Sequence, residues 1–228
     1  MINNNNRSNN IHSDVTVKNC YVGISLGSSA SAETGIAVID NDFNLVRVDK
    51  VFNITDLTSY MNKLCPSNNM IVCVDLPKSM PVNSSKWKLE EKNVRPLKLN
   101  KNKDTSDMTN GWSDRFSERG NDFCKTLSDA GADVYRYYCY YTKNLLRLIS
   151  PYKYRSSVEC KFLQTSIQNK LKINNIPNNL LPISGLDALI GAYTALRISK
   201  THENIGFKII GEFKDFRIVS AIDMQTSE

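Results

Sequence analysis

Histidine is nearly absent. The 228 residues hold only His12 and His202, which argues against a His-rich metal site and against a Ser-His-Asp triad. The six cysteines, at 20, 65, 73, 124, 139 and 160, contain no C-x-x-C pair. Neither a zinc site nor a disulfide framework is expected, and a reducing, cytoplasmic setting is. Cys20, Cys73 and Cys160 stand in apolar or strand-like runs, where a free thiol behaves as a small hydrophobe. No apolar run approaches the roughly 18 residues that a membrane span requires. The opening MINNNNRSNN lacks the apolar segment of a signal peptide. Residues 1–17 are read as a disordered Asn-rich tail, because a polar tract buries too little surface to offset chain entropy.

What is present suffices for a core, since 41% of the residues are hydrophobic. The formal charge of +6 suits a nucleic-acid partner without requiring one. A single domain over 18–228 is expected.

The chain opens with CYVGISLG (20–27), a buried strand, then TGIAVID (34–40) and the alternating NLVRVDKVF (44–52). The Asn41-Asp42 turn makes the second and third strands a hairpin. DLTSYMNKLC (56–65) places Leu57, Tyr60, Met61 and Leu64 on one helical face. NMIVCVDLP (69–77) is a continuous apolar run ended by Pro77, hence a buried, parallel strand. The order β-β-β-α-β lets the first and fourth strands lie side by side through a right-handed crossover. Their C-terminal ends, with Ser25 and Asp75, then share the edge where open α/β sheets carry their chemistry.

Residues 78 to about 120 lose the apolar period, and the segment of about 78–130 reads as a long insertion. Toward its end 114–131 reads as a helix; beyond it, 132–141 reads as a strand and 142–149 as a short helix. RSSVECKF (155–162) reads as a strand end or a helix entry, and 184–200 is the clearest helix of the chain. IGFKIIG and FRIVSAI read as a final strand pair. The fold class expected is α/β.

Three carboxylates stand out. Asp75 closes IVCVD, and an acid ending a buried strand is costly unless paired, metal-bound or at a solvated edge. Glu159 lies between Val158 and Phe162; the bland alternative is a solvated strand residue. Asp187 follows Ser184 by three residues, the spacing of a capping box, so it could simply cap the helix. Alternatively, the small-residue stripe Asp187, Gly191, Ala195 brings the helix close to the sheet and aims Asp187 at the strand ends. Three carboxylates on one sheet suggest Mg²⁺ or Mn²⁺ bound through carboxylates, water and substrate phosphate. Two such ions can clamp an in-line displacement at phosphorus.

VGISLGSSASAETGIAVID, IVCVDLP, VEC and GLDALIGAYTALR together resemble the predicted ribonuclease H-like nucleases of the domain-of-unknown-function family 429. The pattern there is G-[IV]-D near the start, an acid before a proline, a later Glu in an apolar run, and D-A-L-x-x-A-x-x-A on a late helix. The resemblance implies a ribonuclease H-like mixed sheet flanked by helices, with the long insertion after the fourth strand. It implies divalent-metal phosphodiester chemistry on DNA or RNA, with Asp75, Glu159 and Asp187 as catalytic and metal-binding positions. Ser25 stands where that family has its metal-bridging aspartate. A pseudo-enzyme, a displaced site using Glu33, and an altered sequence are all compatible with that change.

Two other readings share the same residues. GISLGSSAS also resembles the phosphate loop of actin-like ATPases and sugar kinases, in which Gly27, Ser28 and Ser29 would give N–H groups to an anion. A non-enzymatic nucleic-acid binder or scaffold is the other. The basic positions Lys86, Lys88, Lys92, Arg95, Lys98, Lys101, Lys103, Arg115 and Arg119 would contact phosphate, and Trp87, Trp112 and YRYYCYY would offer stacking surfaces. A solvated loop and half-buried packing are the plainer accounts of those two features.

Overall fold

In the computed structural model the described residues are 19–27, 32–52, 54–64, 69–75, 87–89, 120–213 and 215–223. The tail 1–17 and most of the segment 78–119 lie outside them.

Five strands follow the expected order. They are β1 (Cys20–Ser25), β2 (Thr34–Ile39), β3 (Leu45–Val51), β4 (Met70–Asp75) and β6 (Asp133–Tyr137), with helix α1 (Ile54–Leu64) between β3 and β4. The short β5 (Trp87–Leu89) and a helix over 120–129, α2, fall within the expected insertion. Next come α3 (Cys139–Leu145), α4 (Ser157–Leu171), α5 (Ile183–Lys200), β7 (Phe207–Phe213) and β8 (Phe216–Ala221). The eight strands among the described residues form one sheet in the order β3-β2-β1-β4-β6-β8-β7-β5. β1–β2 and β2–β3 pair antiparallel, whereas β1–β4, β4–β6 and β6–β8 are parallel. This is an α/β mixed sheet flanked by helices, as expected from the sequence.

β1 is buried at every position, which fits a strand covered on both faces. One face packs against α4 and α5 through Tyr21, Ala37 and Cys73. The other packs Val22, Ile24 and Val72 against Leu57 and Met61 of α1 and Phe123 and Leu127 of α2. α5 is apolar almost all round and is correspondingly buried nearly throughout. It lies unusually close to the sheet. A Cβ on Gly23 would fall 1.8 Å from the Ala188 carbonyl oxygen, and one on Gly35 2.2 Å from that of Ser184. A Cβ on Gly191 would meet the Tyr137 ring at 2.9 Å and the Gly23 Cα at 3.1 Å. The expected small-residue approach is therefore real, and it fixes the height of α5 over β1.

Three local readings are corrected. α5 begins one residue earlier than expected, with Pro182 at its N-cap and no side-chain cap. The Ser184 hydroxyl instead donates to Glu33, so the Ser184–Asp187 capping box does not form. The strand expected over 132–141 stops at Tyr137, and α3 starts at Cys139 inside the tyrosine cluster. Of the two readings of RSSVECKF, the helix entry holds, with Glu159 in the first turn of α4.

Candidate active site

The parallel register pairs Ile24 with Val74, which sets Ser25 beside Asp75 at the C-terminal edge of the sheet. Strand alternation turns both toward α5, the face that holds Tyr21 and Cys73. Asp75 is in turn paired with Tyr137 on β6. The Tyr137 hydroxyl donates to the Asp187 carbonyl oxygen at 2.7 Å, tying α5 to this edge. The structure thus brings Ser25, Asp75 and Asp187 to one edge and one face.

Each carboxylate already has work. Asp75 Oδ1 accepts the Cys139 backbone N–H at 3.2 Å, so this strand-end acid caps α3, one of whose first N–H groups has no helical partner. Its carbonyl oxygen accepts from Arg136 Nη2 at 3.1 Å. Arg136 points to the opposite face, fully buried beneath Gly120, and burial lowers its pKa. Glu159 serves its own helix. Its N–H donates to Ser156 Oγ at 3.1 Å while its carboxylate accepts from the Arg155 N–H. That exchange is a capping box shifted by one residue.

Asp187 is the decisive case. It is 2% exposed, and its Oδ1 accepts a bond from the Lys143 ammonium. The two side chains form an ion pair that is 10% and 3% exposed on its Lys and Asp sides. Burial alone would lower the Lys143 pKa, but Cys139 and the Asp187 carboxylate more than offset it and the net shift is upward. Lys143 therefore stays charged at neutral pH. The Tyr137 hydroxyl is pushed far above its ordinary range by burial, with Asp75 adding to the effect, and stays a neutral donor.

Lys143 was not among the residues singled out from sequence. It lies 44 positions from Asp187, on a seven-residue helix whose start the tyrosine run hides. The Ser156-x-x-Glu159 spacing, by contrast, was a readable signal for the true role of Glu159.

The fit to a divalent-ion centre can be judged from these partners. Among the described residues no group of three or more His, Cys, Asp or Glu is arranged to hold a metal ion. Ser25 brings no charge, Glu159 is engaged in its helix cap, and Asp187 is already neutralised by an ammonium. As arranged, these residues do not fit two divalent ions. Glu33 bonds Ser184 and lies 3.5 Å from Lys50 Nζ, so its carboxylate is also engaged.

The remaining expected positions are distributed as follows. Of the basic residues, Lys88 lies on β5, while Lys86, Lys92, Arg95, Lys98, Lys101, Lys103, Arg115 and Arg119 lie outside the described residues. Trp112, Ser28 and Ser29 do so as well. The Gly27 N–H donates to Thr34 Oγ1 at 2.9 Å, which commits one of the donors a phosphate loop would need. In the tyrosine cluster, Tyr137, Tyr138 and Tyr141 are core, and Tyr140 is exposed. Cys20, Cys73, Cys124, Cys139 and Cys160 are buried thiols. No helix among the described residues is long and apolar enough to cross a membrane.

No family model and no curated protein matches the chain, so the likeness to a particular nuclease family rests on the residues quoted above. Among solved structures, one described as "Thermus thermophilus RuvC structure" is similar at 15% identity and a TM-score of 0.41. The match covers 78% of this chain and 94% of that one.

Proposed function

We propose that this chain is a nuclease-type protein that engages nucleic-acid phosphodiesters through its sheet edge and hydrolyses them slowly or not at all. The observation that carries the reading is the Lys143–Asp187 pair. An internal ammonium holds the carboxylate that the nuclease reading makes a metal ligand, beside a serine at the bridging position. The sheet supplies the nuclease-type scaffold, and Asp75 and Asp187 stand at the edge where its chemistry is expected. What the chain's own residues do there is hold one buried positive charge in a fixed place, while the Tyr137 phenol, its one proton given to the Asp187 carbonyl oxygen, ties α5 to the edge. The ammonium can orient a phosphate or sugar oxygen, but these residues supply no base free to activate water.

Support for a nucleic-acid partner comes from the charge of +6 and the lysine-rich stretch between Lys86 and Lys103. Whether the partner is DNA or RNA is decided by assay. Binding to short single- and double-stranded DNA and RNA should weaken as salt rises, with a log–log slope of roughly −0.7 to −0.9 per phosphate neutralised. Charge reversal at Lys88, Lys98 and Lys101 together should flatten that slope. Incubation of the same substrates with Mg²⁺ or Mn²⁺ should yield little or no cleavage. Salt-independent binding, or none, contradicts the nucleic-acid reading. Rapid cleavage contradicts the impaired centre.

A further inference from the structure

A cavity of about 370 Å³ opens beside the Lys143–Asp187 pair, between α3, α4 and the loop joining them. Lys143, Glu159 and Cys139 line it together with Tyr140, Tyr152 and Tyr154. The three tyrosines are 37%, 49% and 42% exposed, so ring surface remains uncovered by the protein itself. The Tyr152 ring is held edge-on to Phe162 at 5.9 Å, and the Arg155 guanidinium lies over the Tyr154 ring at 5.3 Å. Aromatic walls, a cation over one ring and an acceptor and a donor side by side form an uncommon combination. An ammonium has three donors, of which Asp187 Oδ1 takes one. Glu159 contributes its other carboxylate oxygen, Oε1, since Oε2 accepts from the Arg155 N–H.

From this geometry we infer that the cavity takes a single unpaired nucleobase of a bound strand. A base has two π-faces, which the tyrosines can stack, and an edge carrying both hydrogen-bond donors and acceptors. Glu159 would accept from the edge N–H groups, Lys143 would donate to a ring carbonyl or ring nitrogen, and Arg155 at the rim would face the adjoining phosphate. The volume is that of a small-ligand site, which admits a base but not a duplex. A paired base would have to leave its stack to enter, so single strands are preferred. The inference rests on the nucleic-acid reading above and specifies which part of a strand the protein holds.

The test is fluorescence anisotropy with the full chain, one mixed-sequence oligonucleotide and its duplex. Tyr152→Ala and Tyr154→Ala should each weaken single-strand binding about 10- to 100-fold, as loss of one stacked base does. Duplex binding and the melting temperature should change little, and Tyr152→Trp and Tyr154→Trp should keep the affinity. In the unsubstituted protein, 2-aminopurine within the single strand should be quenched on binding. Three results overturn the pocket while leaving the nucleic-acid reading intact: unchanged single-strand affinity in both Ala variants, equal losses on single strand and duplex, and unquenched 2-aminopurine. If the unsubstituted protein binds neither form, the nucleic-acid reading itself fails and the pocket falls with it.

Discussion

Lys143→Met should cost about 3–5 kcal/mol of folding stability at neutral pH, the usual penalty for stranding one member of a buried ion pair. The methionine keeps most of the side-chain volume, so the loss reports charge and not a cavity. Asp187, 2% exposed and anchored on the most buried helix, cannot turn to water. Left alone, its carboxylate would be a buried charge with no partner. Adding Asp187→Asn should return more than half of the lost stability, since no uncompensated charge remains. Urea unfolding of the two single variants and the double variant measures this coupling. A cost below about 1 kcal/mol for Lys143→Met would show that the pair is effectively solvated.

The second large effect concerns how α5 is seated. Gly23→Ala places a methyl 1.8 Å from the Ala188 carbonyl oxygen and 2.2 Å from the Ala192 nitrogen. Both are backbone atoms of a regular helix, so no side chain can move aside. Either α5 lifts from the sheet or β1 distorts, and each breaks the core on that face. Overpacking ordinarily costs about 1–3 kcal/mol, and this contact belongs above that range because the clash is with backbone. The folded fraction by circular dichroism, and solubility on expression, should both fall sharply. Gly185→Ala is the control, because its Cβ would come no closer than 3.1 Å to a Val48 methyl, a yielding contact. Similar stability in the two variants would mean that α5 does not sit as close as described. A lifted α5 would also carry Asp187 away from Tyr137 and Lys143, so this contact connects packing to the site.

The same segments show why parts of the fold could be read in advance. β1, β4 and α5 are continuous apolar stretches, and burial on every side leaves an unmistakable pattern. The close approach of α5 to the sheet was legible from Gly191 and Ala195 at helical spacing, whereas its partner Gly23 on β1 was not. α3 was not legible: Tyr135 and Tyr137 alternate like a strand, and the helix starts two residues later with no cap from the side chain of its own N-cap residue, Tyr138. The roles of the carboxylates depended on tertiary partners. Asp75 caps a helix 64 positions away, and Asp187 answers a lysine 44 positions away. No local spacing encodes either contact. Ser184 and Asp187 carry the spacing of a cap, but Pro182 starts the helix earlier and Glu33 takes the Ser184 hydroxyl, so the local pattern lost to a tertiary one.

On the proposed reading, Ser25 and the internal ammonium together keep this edge from phosphodiester hydrolysis. Ser25→Asp sets a carboxylate beside Asp75 on the α5 face and leaves the edge with more negative charge than Lys143 can balance. Mn²⁺-dependent cleavage of single- and double-stranded DNA and RNA is the measurement. Cleavage by Ser25→Asp should exceed that of the unsubstituted protein by at least tenfold, about 1.4 kcal/mol in the barrier. Adding Asp75→Asn or Asp187→Asn should abolish the gain, because groups acting as one unit are not additive. A folded Ser25→Asp protein with no gain in Mn²⁺ binding or cleavage would contradict the account and leave Ser25 an ordinary buried serine.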